Sequence, residues 1–409
     1  MSNYPTISFD NTEYAFQYKS NKELKSANFL FSAMAKPALV QMGTRLVPWA
    51  IKAGLPIKGL IRKTIFKQFA GGETLEETAA LANHLANYNV EVILDYAVEG
   101  GDESEAEYDH AADEFIKVIH YASTQSNIPF MSVKVTGLSR ESLLAKLDDS
   151  MTHLEGSLIK RYEKAVELLP DEEKQEWERV RQRLIRICEQ AKEKNVGMMI
   201  DAEETWITDP LDALVMLMMD YYNKEKPVVY NTAQMYRNDR LQFVKDCQEA
   251  AVERGFIFAI KLVRGAYMEK ERNRAKEYNY PSPIHPDKTS TDKAFDEAVK
   301  FCISHLDHVA VSISTHNENS NMMATRLLHE NQLPLNHPHV SFSQLYGMSD
   351  NITFNLAHAG CNVSKYLPFG PVEEVIPYLM RRAQENTSVE GQTSRELGLI
   401  KKEVKRRGL

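Results

Sequence analysis

The sequence contains little cysteine. Its four cysteines, Cys188, Cys247, Cys302 and Cys361, lie at least 55 residues apart along the chain. Such spacing excludes a dense disulfide framework and a zinc site built from paired thiolates. We therefore expect a protein of a reducing compartment.

An excess of positive charge and long hydrophobic runs are also missing. With 49 Lys and Arg against 57 Asp and Glu, the formal charge is −8, which does not fit a general nucleic-acid binder. The apolar run Leu214–Met219 is far shorter than the roughly 18 residues of a membrane-spanning helix. Asp10 and Glu13 come early, without a basic-then-apolar signal or an Arg-rich transit peptide. We expect a cytoplasmic protein that does not span a membrane.

Several familiar motifs do not occur. The sequence has no GxGxxG after a strand, no GxxxxGK[ST], no HExxH and no GxSxG. A Rossmann-type dinucleotide unit is therefore unsupported. His337 and His339 stand in a Pro- and Asn-rich connection, where exposed loop histidines are the simplest interpretation. We predict no metal site.

From about residue 90, short runs rich in Val, Ile and Phe alternate with longer charged segments of helical period. Eight such units predict an α/β fold, a (βα)8 TIM-like barrel. The eight predicted strands are residues 90–96, 130–135, 196–201, 228–231, 257–264, 308–314, 340–343 and 362–366.

Polar residues accumulate where each predicted strand ends, and barrels of this kind place their chemistry at the C-terminal strand ends. This coincidence, repeated in all eight units, is stronger than any single residue. The residues are Asp95, Lys134, Thr136, Asp201, Glu203, Glu204, Gln234, Lys261, Arg264, Thr315, His316, Asn317, Gln344 and Tyr366.

Two segments fall outside the strand-helix pattern. Residues 138–195 predict a helical insertion between strands 2 and 3. Residues 1–80 predict an N-terminal helical arm, which leaves 81–409 for the catalytic barrel. Residues 29–70 are apolar with interspersed Lys and Arg, so they form either a helical arm packed on the barrel or a basic amphipathic surface that lies on anionic lipid.

The helical segment after the last strand carries the richest side chains. On a helix, Arg381 and Arg382 lie three and four residues beyond Tyr378, on the same face. Two guanidinium groups at a barrel mouth form a carboxylate clamp, because each planar guanidinium can donate hydrogen bonds to both carboxylate oxygens. Glu385 follows Arg381 by four residues, so a surface helix with one ion pair is the alternative. The clamp predicts a small anionic substrate.

A second cluster follows the fifth strand. Lys261 and Arg264 precede Gly265-Ala266-Tyr267, and a Gly-Ala step after a buried strand lets a ligand approach the backbone. The cations suit an anionic group such as a phosphate or a reduced flavin. Asp201 and Lys134 end other strands, and pairing with each other across the barrel mouth is the alternative for them.

These residues sit within motifs that closely resemble the proline dehydrogenase (proline oxidase) family, monofunctional type. The resemblance covers nearly the whole chain in order. The motifs are QFAGGETLEE near residue 68, DAEE at 201–204, KLVRGAYMEKER from 261, STHN at 314–317, QLYGM at 344–348, and YLPFGP followed by YLMRRAQENTS.

The resemblance implies a barrel that holds FAD non-covalently. It also implies oxidation of L-proline to 1-pyrroline-5-carboxylate, the first step of proline catabolism, by hydride transfer to flavin N5. Electrons would pass to a membrane quinone, with peripheral contact to the inner face of the membrane as an open alternative to a purely cytoplasmic location. No aldehyde dehydrogenase domain follows, so the second step of proline breakdown is expected in another protein.

The resemblance further implies residue roles. Arg381, Arg382 and Lys134 would hold the substrate carboxylate, and Asp201 would organise the charged groups around it. The wall of the proline site would comprise Tyr378, Tyr366, Leu345, Ala266 and Tyr267. Contacts to FAD would come from Asp201, Gln234, Lys261, Val263, Arg264, Gly265, Ala266, Thr291, Thr315, His316, Asn317 and Glu385.

Three other functions stay open on the sequence. Hydroxyproline dehydrogenase shares the fold, although Tyr378 is bulky where hydroxyproline-specific relatives have a smaller residue. A metal-dependent hydrolase on the same barrel and a non-catalytic membrane-associated scaffold built on residues 29–70 are the others. Lys261 also departs from the family pattern, because the long bifunctional bacterial members carry Arg there.

Overall fold

Eight parallel strands close into a barrel in sequence order. The computed structural model describes residues 5–53, 56–96, 103–388 and 392–409. The predicted (βα)8 barrel is confirmed. The strands are β1 Glu91–Tyr96, β2 Phe130–Val133, β3 Gly197–Ile200, β4 Val229–Gln234, β5 Phe258–Val263, β6 Val309–Ser314, β7 Val340–Leu345 and β8 Val363–Phe369.

Most strand residues are buried whichever side of the sheet they face. All six residues of β4 are buried, as are five of six in β5 and β6. A parallel strand has helices on one face and packed barrel interior on the other, so it reads as a continuous apolar run. This is why the short Val- and Ile-rich runs located the strands.

Three strands run further than the sequence predicted. Gln234 and Gln344 lie inside β4 and β7, and Tyr366 lies in the middle of β8. Beyond Tyr366, where its pairing with β7 ends, β8 continues alongside β1 through Pro368 and Phe369. Proline has no N–H to give to a ladder, so a prolyl strand segment is tolerated where one neighbour is absent.

The chain divides into two compact units, residues 1–100 with 342–409 and residues 101–341. The second unit contains β2 to β6. Its helices are α7 Glu105–Ser123, α8 Glu141–Thr152, α9 Leu158–Glu167, α10 Asp171–Lys194, α11 Thr208–Tyr222, α12 Arg240–Arg254, α13 Met268–Glu277, α14 Lys288–Ile303 and α15 Glu318–Glu330.

Helices α8 to α10 are the helices predicted between strands 2 and 3. Trp177, Val180 and Leu184 of α10 are buried, at the spacing of three and four that an amphipathic helix requires. The Trp177 indole donates a hydrogen bond to the Tyr162 hydroxyl of α9 at 2.9 Å, so α9 and α10 pack on each other, and α10 also packs on α7.

The first unit holds β1, most of β7, β8 and the terminal helices. The helices are α1 Thr12–Phe16, α2 Asn21–Met34, α3 Pro37–Lys52, α4 Lys58–Ile61, α5 Lys67–Phe69, α6 Leu75–Ala86, α16 Asp350–His358, α17 Val372–Ser388 and α18 Gln392–Arg406, with a π-helical turn over Arg62–Phe66.

One buried apolar cluster joins the N-terminal helices to α17 and α18. Phe16, Leu24 and Phe31 of the N-terminal helices pack in it with Leu379 of α17 and Ile400 of α18. The N-terminal segment is therefore helical and packed within its own unit, while the boundary at residue 80 stays a prediction. Within the described residues, no helix is both long and apolar enough to cross a bilayer.

Candidate active site

In the second unit, a buried ion pair joins the ends of β3 and β5. The Lys261 ammonium contacts the carboxylate of Asp201, and the two side chains are 6% and 14% exposed. The Asp201 backbone N–H donates to the Val133 carbonyl at 2.9 Å, which extends the β2–β3 ladder by one residue and orients the aspartate. Asp201 therefore has an ion-pair partner in Lys261, and the Asp201–Lys134 pair stays a prediction.

The loop after β3 carries a second carboxylate, Glu203. The Thr136 hydroxyl donates to it at 2.7 Å and the Thr136 backbone N–H at 3.3 Å. Burial nevertheless raises the pKa of Glu203 to about 7, because desolvation disfavours the charged form. The site therefore contains a carboxyl group that titrates near neutral pH.

Gln234 ties this loop to the turn after β5. Its amide donates to the Glu203 carbonyl at 2.6 Å, and its oxygen accepts from the Ala266 N–H at 3.4 Å. The predicted Gln234 and Ala266 therefore lie together.

Arg264 is held by neighbours from α14, α15 and the end of β6. Its Nε donates to Asp292 at 2.7 Å, and its two Nη atoms donate to the hydroxyls of Thr315 at 2.5 Å and Ser320 at 3.0 Å. The guanidinium also lies 4.3 Å from the centre of the Phe295 ring. This network holds Arg264 and Thr315 as a rigid, positively charged corner.

The structure shows a reason for Gly265 that the sequence did not. Gly265 has φ +131°, and a Cβ built there would lie 2.5 Å from the Tyr236 ring. Glycine is required because the Tyr236 ring occupies the place of a side chain. Gly265 and Ala266 are nevertheless exposed, so the backbone of the turn stays open to a ligand.

The other predicted site residues of the second unit, for substrate or cofactor, lie at strand or helix ends. Thr291 is buried near the start of α14 and donates to the Asp287 carbonyl at 3.2 Å. Asn317 caps α15 by accepting from the Ser320 N–H at 3.1 Å. The remaining members, each half-buried, are Lys134, Val263, Tyr267 and His316.

Three of the five predicted wall residues lie in the first unit: Leu345, Tyr366 and Tyr378. Leu345 of β7 is the register partner of Tyr366 of β8. Leu345 also packs against the apolar cluster that contains Tyr378. Leu345 therefore connects its strand neighbour Tyr366 to the cluster that contains Tyr378.

The two arginines of the predicted clamp occupy consecutive positions of α17. Arg382 is 6% exposed, and its guanidinium lies 5.1 Å from the centre of the Tyr378 ring. Arg381 is half-buried. Leu379 and Ala383 anchor the same helix in the apolar cluster, so the clamp stands on a fixed element. The side chain of Glu385 lies outside the described residues.

Sequence reasoning missed a buried charged group behind the wall residues. The Lys365 ammonium is 0% exposed, pairs with Asp350 at 2.9 Å and donates to the Met348 carbonyl at 2.6 Å. Asp350 also accepts from the Tyr18 hydroxyl at 2.8 Å. Glu396 of α18 accepts from the Ser349 N–H at 3.0 Å. The sequence feature that could have revealed this group is Lys365 itself, a charged residue within a buried strand and next to the predicted Tyr366.

Comparison with known proteins connects this arrangement to characterised families. The sequence model of the family described as proline dehydrogenase matches residues 78–395. The mitochondrial proline dehydrogenase 1 of Dictyostelium discoideum is 32% identical over 387 residues, which cover 87% of this chain and 67% of that protein. The carbapenem antibiotics biosynthesis protein CarD of Pectobacterium carotovorum is 33% identical, with 83% of each chain covered. The hydroxyproline dehydrogenase of Rattus norvegicus is 32% identical, covering 96% and 93%.

A solved structure shares the fold. Proline utilization A (PutA) from Bdellovibrio bacteriovorus, crystallised after inactivation by N-propargylglycine, superposes with a TM-score of 0.68 at 20% identity. The match covers 93% of this chain and 37% of the PutA chain, so this chain corresponds to little more than a third of that protein. The family match extends over most of the barrel and α17, including the arginine pair. The chain belongs to the proline dehydrogenase family.

Proposed function

We propose that this enzyme oxidises L-proline to 1-pyrroline-5-carboxylate with FAD as its cofactor. The observation that carries the proposal is the arginine pair of α17, with Arg382 buried beside Tyr378 on a helix anchored in the core. Paired guanidinium groups suit a carboxylate, and a buried aromatic ring suits a small apolar ring next to it. The family match supports the same chemistry.

The residues of the second unit fit a flavin dinucleotide. The exposed backbone at Gly265 and Ala266 admits close approach, and Arg264 is a fixed cation for a phosphate. The N-terminus of α15 follows Asn317, and helix N-termini favour anions. The full set proposed to hold FAD is Asp201, Gln234, Lys261, Val263, Arg264, Gly265, Ala266, Thr291, Thr315, His316, Asn317 and Glu385.

When bound, FAD supplies the acceptor for the hydride that leaves the carbon next to the amine. The protein's part is to bind and orient the substrate. Arg381, Arg382 and Lys134 hold the carboxylate, which aims the reacting C–H bond. Leu345, Tyr366, Tyr378, Ala266 and Tyr267 enclose the ring. Asp201 acts through Lys261, whose ammonium it fixes.

Arg381→Met and Arg382→Met test the clamp. Each substitution removes charged hydrogen bonds worth roughly 1.5 to 3 kcal/mol, so we expect the KM for proline to rise about tenfold or more. Arg186→Met, at an exposed ion pair of α10, is the matched control and should leave KM unchanged. Wild-type KM values in both clamp variants would remove the clamp from the proposal.

Spectroscopy tests the cofactor and the reaction together. Anaerobic L-proline should bleach the flavin absorbance of the purified protein. The rate should rise with pH, because the amine must be neutral for hydride to leave readily. A protein that cannot be reconstituted with flavin would overturn the proposal.

Hydroxyproline oxidation is the second candidate. Four hydroxyproline dehydrogenases are 28 to 32% identical to this chain, as similar as proline dehydrogenases are. Tyr378 favours proline, because a bulky ring buried among apolar side chains leaves little room for a hydroxyl group. The ratio of kcat/KM for the two amino acids decides between them.

We further propose that electrons pass to a membrane quinone. This requires peripheral contact with the inner face of the membrane by an otherwise cytoplasmic protein. Reduction of a quinone analogue at the expense of proline tests the acceptor. A protein whose flavin is reduced by proline but not reoxidised by any quinone would contradict it.

A further inference from the structure

Helix α3 is apolar on two sides. Val40 and Val47 pack against the core cluster of the first unit. Leu39, Met42 and Leu46 are 44%, 53% and 52% exposed. Because they follow one another at spacings of three and four, these three side chains form one outward stripe. A helix that also carries apolar side chains on its outer side typically has a second apolar surface packed against that side.

Neighbouring helices add exposed apolar side chains. Phe29 of α2 is 75% exposed and Leu60 of α4 is 67% exposed. The exposed large apolar side chains of the second unit lie on or next to four different helices: Leu168, Tyr221, Val252, Met268, Tyr278 and Tyr280. Scattered apolar residues are ordinary on a protein surface, whereas several on consecutive helices indicate an interaction surface.

The segment of residues 24–72, which contains α3 and α4, carries charged side chains of positive sign only. No Asp or Glu occurs from residue 24 to residue 72, although the whole chain carries −8. Acidic residues from outside the segment pair with three of its cations: Glu373 with Lys58, Glu73 and Glu77 with Arg62, and Glu23 with Lys67. The cations of the segment are Lys25, Lys36, Arg45, Lys52, Lys58, Arg62, Lys63 and Lys67.

Two of these cations flank the apolar stripe. Lys36 precedes α3, and Arg45 lies beside Leu46 within it; both are exposed. In the described part of the chain, neither forms an ion pair. A stripe of large apolar side chains bordered by uncompensated cations suits a surface with anionic head groups over an apolar interior.

We propose that the α3 face, defined as Leu39, Met42 and Leu46 with Lys36 and Arg45, docks on an anionic lipid surface. The inference rests on the proposed quinone acceptor. It identifies the part of the protein that would contact the membrane in which the quinone is dissolved. Helix α3 packs directly on α17, the helix that carries Tyr378, Arg381 and Arg382. Docking through α3 therefore brings the membrane within one helix of the proposed substrate clamp.

Vesicle sedimentation tests the proposal on the flavin-loaded full chain. The wild-type protein should sediment with vesicles of phosphatidylglycerol and phosphatidylcholine. It should sediment far less with phosphatidylcholine alone, and binding should weaken at high salt. L39S/M42S/L46S and K36E/R45E should each reduce the bound fraction about tenfold or more, because apolar burial and charge attraction both contribute.

Matched controls are L168S/V252S and K300E, which change exposed residues of the second unit and should bind vesicles as the wild type does. All variants should keep their thermal midpoint and the reduction of flavin by proline with a soluble dye as acceptor. Only turnover with quinone embedded in anionic vesicles should fall in the α3 variants.

The outcomes separate this inference from the proposed function. Equal sedimentation of the α3 variants and the wild type, or equal binding to neutral vesicles, would overturn the lipid surface. So would light scattering that shows a dimer which the α3 variants dissociate, since a second copy of the chain would then cover the face. Vesicle binding without reduction of the flavin by proline would instead contradict the proposed reaction and leave the surface standing.

Discussion

Each unit contains a buried lysine–aspartate pair beside predicted site residues, and the two pairs are built differently. Lys261 and Asp201 stand at strand ends, with the aspartate 14% exposed. Lys365 and Asp350 are 0% and 1% exposed. Lys365 also donates to the Met348 carbonyl at 2.6 Å and approaches the Leu345 carbonyl at 3.4 Å, so it holds the chain that follows β7.

The difference shows how one pair of residue types takes two roles. A pair at a strand end with some solvent access can exchange part of its hydrogen bonding with a ligand. A pair whose donors reach backbone carbonyls and whose carboxylate also accepts from Tyr18 fixes a loop instead. The depth at which the carboxylate is buried, and not the presence of the ion pair, distinguishes a pair that can contact a ligand from a pair that stabilises a loop.

Loss of the buried aspartate should reduce stability more in the first unit than in the second. Asp350→Asn leaves the Lys365 charge buried without its counter-ion, which we expect to cost about 3 to 5 kcal/mol of unfolding free energy. Asp201→Asn should cost less, about 1 to 3 kcal/mol, because water reaches that aspartate. Urea denaturation of both variants measures the two losses, and equal losses would break the distinction.

The next effect concerns pH. Burial, with a contribution from Asp350, raises the pKa of Glu396 from 4.5 to about 7. The folded protein therefore keeps a proton that the unfolded chain has lost between these values. Stability from this group falls as pH rises from about 5 to above 7, by roughly 3 kcal/mol.

Glu396→Gln should remove that part of the pH dependence, measured as unfolding free energy at pH 5 and pH 8. Glu203 and Asp148, whose pKa values burial also raises to about 7, contribute to a slope that remains in the variant. Glu163→Gln, at an exposed position of α9, is the control. An unchanged slope in Glu396→Gln would show that Glu396 is charged in the folded protein.

The smallest effect is on activity. Lys261→Met removes a charged hydrogen bond. The free energy of flavin binding, or the activation free energy of proline turnover, should become less favourable by roughly 1.5 to 3 kcal/mol. Lys300→Gln, in an exposed pair with Glu297, should change neither activity nor stability by more than about 0.5 kcal/mol. If Lys261→Met lowers stability but retains its flavin, the Lys261–Asp201 pair has a structural role like that of Lys365–Asp350.

Particular residues show what could be predicted. All eight strands were located, because parallel strands with both faces covered are continuous apolar runs. The arginine pair was found because its spacing from Tyr378 is local to one helix. The Lys261–Asp201 pair was not foreseen, since 60 residues separate its members and several cations could have reached Asp201. Gly265 was assigned to ligand approach, but only the fold reveals that the Tyr236 ring demands it.

The sequence alone determined the order of strands and helices, the barrel that they close, and the residue types at the strand ends, because these follow from hydrophobic periodicity and motif spacing within short segments. Tertiary structure alone decided which charges meet, how deeply each is buried and which carboxyl groups titrate near neutrality. Burial depth and ion pairing depend on side chains that folding brings together from distant parts of the chain. A local sequence pattern does not show which distant residues will meet.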